Sequence, residues 1–516
     1  MNKKEDDYSA AEKYIGDSDV QVGYTSNENV IRKSDFTVGD SWYAKCQRFA
    51  GKLGVEQRGI ERVPEDERTD TTMSKIGTMW LSANMVVSSF AIGALAQPIF
   101  ELGFVDTALT IIMINILAIT PVCFFSTFGP RFGLRQMVLS RFFFGYHFVK
   151  IIALFNVIAC LGWSAANVIV GAQLFSAVNN NMPGWAGIII IAITTLIVCF
   201  FGYKIVHHYE RWSWIPCLII FCIVAGEFGR TGKFSNLLPL EVGKSEAGAV
   251  LSFAASVYGF GTGWCSYAAD YTVYQPANSS RKSIFLWTFG GLFFPLVFTE
   301  LLGAAVMTAA ANDEDFANAY YDGGIGGLMA MVLVPHLGKF GDFCLVILAL
   351  SIIANNCPNI YSVSLSLQVM HKETQRVPRF VWVLIGTGVY IGIAIPGYNH
   401  FAEWLENFMT IIAYWLAIYE AISLTEHFVF RRSMDNYRPE DYTDASKLPP
   451  GYAAALAFCF GVVGVVLGMA QVWYIGVIGK LCGTEYGGDI GFELAFAFAA
   501  ISYLVLRTLE KNYFKR

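Results

Sequence analysis

Apolar residues run along most of this chain in blocks of about twenty, the length a helix needs to cross a bilayer core, and short polar connections separate them. The blocks lie near 76–97, 104–128, 149–178, 185–203, 212–229, 249–272, 284–311, 342–370, 380–396, 401–424, 451–474 and 489–508. This pattern predicts an all-α membrane protein of about twelve transmembrane helices. A further stretch, 327–340 (GLMAMVLVPHLGKF), is too short to span and contains Pro335, so it reads as a helix lying on the outer surface. The expected organisation is a cytoplasmic N-terminal tail over 1–75, largely disordered, a transmembrane transporter domain over 76–508 and a cytoplasmic tail over 509–516.

Composition agrees with this pattern. Of the 516 residues 55% are hydrophobic and 15% charged, outside the ordinary soluble range. Residues 1–75 hold 12 of the 36 Lys and Arg and 15 of the 41 Asp and Glu, which marks the tail as soluble and the remainder as lipid-embedded. The opening MNKKEDDYSAAEKYIGD has no apolar core for a secretory signal, so insertion is expected to rely on the first span.

Twelve spans put both termini on one side, and basic residues select that side. Connections on the side of the tail carry Arg131, Arg135, Arg141, Lys204, Arg211, Arg281, Lys282, Lys372, Arg376, Arg379, Arg431, Arg432, Arg438 and Lys447, whereas the opposite loops carry only Arg230, Lys233, Lys244, Lys339 and Lys480. Both termini are therefore expected in the cytoplasm. The net charge of −5 carries no nucleic-acid footprint. Most of the eleven cysteines sit inside apolar runs, where free Cys acts as a small hydrophobe, and they form neither a disulfide framework nor a CxxC metal pattern. The seven histidines fall in loops or at span ends, and no catalytic constellation points to an enzyme or a bound cofactor.

Polar and helix-breaking residues inside lipid-buried spans need another helix or a cavity to satisfy them, so they point to a pathway. Four spans carry them. The first holds Ser82, Asn84, Ser88, Ser89 and Gly93, small residues that also serve close helix packing. The sixth has Gly259, Gly261 and Gly263 at alternate positions, which predicts a broken helix, followed by Trp264, Tyr267 and Tyr271 on one face of its continuation. That face reads either as a packed aromatic stripe or as a ligand platform. The third places Trp163 and Asn167 four apart, and the eighth does the same with Asn355 and Asn359. Pro358 between those asparagines has no N–H for the carbonyl of Ala354.

Spans one and three correspond to spans six and eight by an offset of five. The expected architecture is thus a five-plus-five inverted repeat with broken helices 1 and 6, plus two extra C-terminal helices. A midplane pocket lined by indoles, phenols, carboxamides and hydroxyls, without a deep Lys or Arg, suits a flat polar uncharged ligand. Aromatic faces stack planar rings. An Asn carboxamide can pair with a ring nitrogen and the adjacent amine, an edge that adenine and cytosine both present.

Accumulating an uncharged solute requires a coupling ion, most simply a proton. Asp270, six residues after Trp264, and Glu300 are the carboxylates nearest the membrane interior, and Asp270 is the candidate carrier, with a capping role at the cytoplasmic gate as the other reading. Sodium would instead use unwound carbonyls with hydroxyls such as Ser362 and Ser364.

The stretches MWLSANMVVSSFAIGAL, FGLRQMVLSR, NVIACLGWSAAN, FFGYKIVHHYERWSW, GWCSYAADYTVY, LALSIIANNCPNIYS, WLENFM and YGGDIGFEL resemble the fungal purine-cytosine permeases of the nucleobase-cation-symport family one. They extend over nearly the whole membrane region and leave out only the acidic tail, about 1–50. The resemblance implies a proton-coupled plasma-membrane importer of cytosine, adenine, guanine and hypoxanthine. It implies that Trp163 and Trp264 stack the ligand and that Asn167, Asn355 and Asn359 hold it, with Pro358 and Ser89 also involved. Two features depart from the family: the extra glycine of GFGTGW before Trp264, and Glu300 where a neutral residue is expected. The competing readings are a carrier of another uncharged ring such as vitamin B6, uracil or allantoin, an uncoupled facilitator, and a non-transporting sensor with the tail as its signalling arm.

Overall fold

A computed structural model describes residues 59–200, 211–236 and 242–516. In chain order its helices are α1 (Ser74–Asn84), α2 (Val87–Ala94), α3 (Phe104–Ser126), α4 (Phe128–Phe132), α5 (Gln136–Leu139), α6 (Arg141–Val178), α7 (Gly184–Phe200), α8 (Trp214–Thr231) and α9 (Lys244–Thr262). There follow α10 (Arg281–Met307), α11 (Glu314–Leu337), α12 (Lys339–Met370), α13 (Lys372–Arg376), α14 (Arg379–Gly397), α15 (Phe401–Thr425), α16 (Tyr452–Gly468) and α17 (Gly491–Phe514). The chain is an all-α membrane protein. Among the described residues seven helical runs are long and apolar enough to cross a membrane, or eight with α1 and α2 taken as one span bent by 55°. The helices α7 and α16 are apolar but shorter.

The first span breaks where its sequence turns polar. Helix α1 ends at Asn84, Val86 is extended (φ −135°, ψ 160°), and α2 restarts at Val87. Carbonyls released by such a break have no helical partner and no water to turn to. Side chains replace both: Ser89 Oγ donates to the Asn84 carbonyl at 2.7 Å, and Asn355 Nδ2 donates to that of Ala83 at 2.6 Å. The sixth span breaks at its glycines. Helix α9 stops at Thr262, and after Gly263 and Trp264 the chain continues as a 3₁₀ segment over Cys265–Tyr271 rather than as a resumed α-helix. With three residues per turn, Trp264 and Tyr267 still share a face, their rings 5.6 Å apart.

The helices sort into two packed groups. In one, α10 packs on α1, α2 and α3, and α3 packs on α9; in the other, α12 packs on α6, α7 and α14, and α6 also packs on α7 and α14. The polar faces of spans one, three, six and eight meet along the seam between them.

Several boundaries differ from the sequence reading. Most of the expected tail lies outside the described residues, but its last stretch is ordered against the membrane domain. Arg68, 2% exposed, donates to the carbonyls of Val63 and Pro130, Val63 N donates to Gly133 O, and Asp70 N donates to Tyr274 O. The ends of the expected spans 185–203 and 212–229 approach residues 201–210, which lie outside the description. The surface segment expected at 327–340 is the second half of α11, which is broken at Gly324 (φ 59°), followed by Gly338 and the first residues of α12. The eleventh apolar run ends at Gly468 and turns into a hairpin of β1 (Ala470–Gln471) and β2 (Tyr474–Ile475). The expected C-terminal tail is helical as far as Phe514.

At one end of the molecule Arg507 of α17 is 2% exposed and joins two acids, with Nε 3.0 Å from Glu426 Oε2 and Nη1 2.7 Å from Glu510 Oε2. Removing one partner of a buried ion pair leaves the other charge uncompensated. Arg507→Ala is therefore expected to destabilise the fold by about 3–5 kcal/mol, read as a lower unfolding temperature of the detergent-purified protein.

Candidate functional site

A small buried cavity opens in the seam, lined by Trp163, Phe260, Gly263, Trp264, Tyr267, Asn355 and Asn359. No side chain on its wall carries a full charge. Trp163, the most exposed of those side chains, is only 6% exposed.

The aromatic part of the wall is held edge to face. The Trp163 ring lies 5.1 Å from Phe260 and 5.5 Å from Phe408 at interplanar angles of 68° and 77°, and Trp264 lies 5.3 Å from Trp80 at 73°. Such pairs fix ring orientation beyond simple burial. Trp264 Nε1 donates to Asn84 Oδ1 at 3.0 Å, which ties the platform of span six to the broken end of span one. Gly263 allows Trp163 to approach, since a Cβ there would lie 3.3 Å from Trp163 Nε1.

The polar part is one continuous network. Ser88 Oγ donates to Asn167 Oδ1 at 2.6 Å, and Asn167 Nδ2 donates to Asn355 Oδ1 at 2.7 Å. Asn359 Nδ2 reaches the Asn355 carbonyl at 3.1 Å, and Tyr267 donates its hydroxyl to Asn359 Oδ1 at 2.8 Å. Spans one, three, six and eight are all joined by it. A second knot joins three of these spans, three, six and eight: Ser266 Oγ donates to Asn156 Oδ1 at 2.6 Å, and Asn156 Nδ2 donates to Ser362 and Ser366 at 2.9 and 2.8 Å.

The structure thus brings together Trp163, Trp264, Asn355 and Asn359 on the wall, with Asn167 one hydrogen bond behind it. Three other expected residues stand apart. Ser89 faces the Asn84 carbonyl, and its neighbour Ser88 is the serine that meets Asn167. Pro358 is buried in α12 between the two asparagines and is absent from the wall. Asp270 lies beyond the cavity, where its Oδ1 accepts from Gln136 N at 2.7 Å at the start of α5 and its carbonyl accepts from Arg135 at 2.7 Å. Of the two serines considered for sodium, Ser362 accepts from Asn156 and Ser364 donates to the Tyr361 carbonyl at 2.7 Å.

Sequence reasoning missed Phe260, Phe408 and Glu420. The phenylalanines gave no signal, being apolar residues in apolar runs. Glu420 did give one, an acid inside the last two turns of span ten. It is 1% exposed and accepts from Tyr258 at 2.6 Å and from Thr262, the last residue before the break in span six.

Two interrupted helices facing two continuous ones across a buried, uncharged, partly aromatic cavity form the architecture of a solute transporter. Residues 62–486 match the family described as permease for cytosine/purines, uracil, thiamine, allantoin, and the chain belongs to that family. It is 59% identical over 492 residues to the purine-cytosine permease fcyB of Emericella nidulans, covering 95% of this chain and 96% of that one. It is 30% identical to the vitamin B6 transporter TPN1 of Saccharomyces cerevisiae, covering 90% and 89%. The fold is shared with Mhp1, a nucleobase-cation-symport-1 family transporter solved in a closed conformation with bromovinylhydantoin bound, at a TM-score of 0.68 and 14% identity over 89% of this chain and 96% of that one. The chain is a transporter and not an enzyme.

Two substitutions probe the wall. Asn359→Ala is expected to abolish uptake while the protein still reaches the membrane; loss of delivery would instead mark Asn359 as packing. Tyr267→Phe removes one hydroxyl donor from Asn359 and is expected to raise KM by about 2- to 10-fold, the worth of one hydrogen bond, with surface abundance unchanged.

Proposed function

We propose that this permease imports cytosine and the purines adenine, guanine and hypoxanthine by proton symport with alternating access, at the plasma membrane and with both termini cytoplasmic. The observation that carries this reading is the cavity wall, which offers indole faces and a chain of carboxamides and no charge. The names of the relatives support the same class, with purine-cytosine permeases at 59% and 46% identity.

The asparagines bond one another in this arrangement, so a base must exchange with those bonds. Asn167 and Asn355 would turn one donor and one acceptor each toward the amino edge of the ring. A ring without an amino group, hypoxanthine as well as uracil, would have to meet a turned-over carboxamide or leave a buried amide unpaired, a penalty of about 1–3 kcal/mol, so cytosine and adenine are favoured over hypoxanthine. Thiamine, a cation, would meet no carboxylate on the wall.

Alternating access follows from the two groups of helices. Rocking one against the other would open the seam toward one face and then the other around a fixed site. Asp270 lies at the end of that seam with Arg135, whose guanidinium is 5.4 Å from the ring centres of both Tyr274 and Tyr361. This setting favours a gate anchor over a proton carrier for Asp270.

Cells lacking their own permease should accumulate radiolabelled cytosine when they express this chain. Excess unlabelled adenine is expected to suppress that uptake, and a protonophore to collapse the accumulation. Uptake that adenine cannot suppress would sink the shared amino-edge argument, and accumulation indifferent to the protonophore would sink proton coupling.

A further inference from the structure

We propose that the coupling proton is held by Glu300, shared with Asn115, inside the group of helices that carries both broken spans. This deepens the proton-symport reading and rests on it. Three of the buried carboxylates among the described residues, Asp270, Glu420 and Glu300, lie beside the broken helices, and their surroundings differ. Asp270 accepts a backbone N–H at its Oδ1 and sits beside Arg135. Glu420 accepts hydroxyl donors on both oxygens, from Tyr258 and Thr262. Glu300, with no exposed surface, accepts only from Asn115, whose Nδ2 lies 2.7 Å from Oε2.

The remaining oxygens of this pair, Glu300 Oε1 and Asn115 Oδ1, are both buried, and among the described residues no donor reaches either of them. Two acceptors without a donor are costly in a lipid-buried core. A proton supplies the missing donor: Glu300 becomes a neutral acid whose Oε1–H can be offered to an acceptor while Asn115 still donates to Oε2. A metal cation fits less well, because hard cations gather six or more oxygens and this pair leaves two.

The charged and titratable groups on the elements packed against α10 lie elsewhere. Lys75 of α1 pairs with Asp70, and Glu227 and Arg230 of α8 pair with each other. Asp106 stands in the first turn of α3, two turns or more from Asn115, and Cys123 lies two turns beyond Asn115 on the same helix. Cys217 and Cys222 are on α8. On α10 itself Arg281 and Lys282 lie in the first turn, more than about 25 Å along the helix from Glu300. Among the described residues Asn115 is the one side chain that hydrogen-bonds Glu300.

The pair is placed so that both broken helices feel its charge. A Cβ on Gly93 of α2 would overlap the Glu300 backbone, so the second half of span one rests directly on that residue. A Cβ on Gly261 of α9 would lie 3.2 Å from Asn115 Oδ1, so span six rests on the other member of the pair. Proton uptake from the outer medium neutralises Glu300 and lets these four helices pack as they do here. Release to the cytoplasm leaves a carboxylate lacking a donor at this junction and biases the same helices toward another packing, the differential interaction that coupling needs.

The test is cytosine transport by Glu300→Gln, which keeps the shape and a donor but cannot release a proton. One charge moved through about 100 mV supports about 50-fold accumulation. The variant is expected to retain exchange of labelled for unlabelled cytosine, to lose the pH dependence of uptake, and to accumulate to a ratio of about one. Glu300→Asp, which retains an acid, is expected to restore part of the pH-dependent accumulation. Accumulation and a pH profile like the parent's in Glu300→Gln would overturn the proposal, because a permanently neutral acid behaves that way. So would loss of pH dependence in Asp270→Asn alone. If Glu300→Gln does not reach the membrane, Asn115→Ser decides: a displaced pH profile is expected, and an unchanged one counts against the pair. Failure of the underlying reading looks different, since the parent protein would then show no cytosine accumulation, or accumulation driven by sodium or untouched by a protonophore.

Discussion

A backbone that leaves the helix inside a bilayer has no water to satisfy it, and this constraint organises the centre of the molecule. Breaking span one at Asn84 releases carbonyls that side chains must take up. Asn355 crosses from α12 to reach Ala83, and Ser89 closes on Asn84. The break is therefore stable only while span eight stands beside it. The same dependence appears at span six, where Trp264 returns to Asn84 and Tyr267 to Asn359. Helix breaks and helix contacts are one system of hydrogen bonds, and the cavity is the space that this system leaves between them.

That coupling explains why a binding site lies at the seam. Groups that satisfy a broken helix are necessarily polar, buried and close to a gap in regular structure, the features a polar ligand also needs. Asn355 shows the double duty most clearly. Its Nδ2 supports span one, while its Oδ1 accepts from Asn167 and faces the cavity network. A ligand that draws Asn355 toward itself acts on the support of span one as well. Binding and the geometry of the broken helix are thereby linked through a single side chain, without any longer path.

How much of this was legible follows from contrast. Asparagines, a proline and alternating glycines stand out in apolar runs, and so Trp163, Asn167, Trp264, Asn355 and Asn359 could be picked out in the sequence and are found around one cavity. Phe260 and Phe408 had no contrast, although they set the orientation of Trp163. Ser88 and Ser89 are adjacent, and only the rotation of the chain through Val86 decides which of them faces span three. The polar stretch after Gly59 reads as tail because it has few apolar residues. Its order comes instead from Arg68 and backbone hydrogen bonds to the loop at 130–133. The 3₁₀ course after Gly263 likewise follows from packing against α3, since a helical spacing of three and four fits either form.

The two groups of helices differ in what their polar residues do. Along the seam every amide of Asn167, Asn355 and Asn359 has a protein partner that a ligand could exchange with, so binding replaces bonds of similar kind and its net energy is small per bond. Discrimination then comes from what a wrong ring fails to replace, and stacking on the indoles supplies affinity without discriminating strongly. Away from the seam, the Glu300 and Asn115 oxygens without donors lie at a close junction, where Gly93 packs against the Glu300 backbone and Gly261 against Asn115 Oδ1. A site that exchanges hydrogen bonds and a junction that lacks one thus share spans one and six, and the second acts on the first by changing how those spans bend.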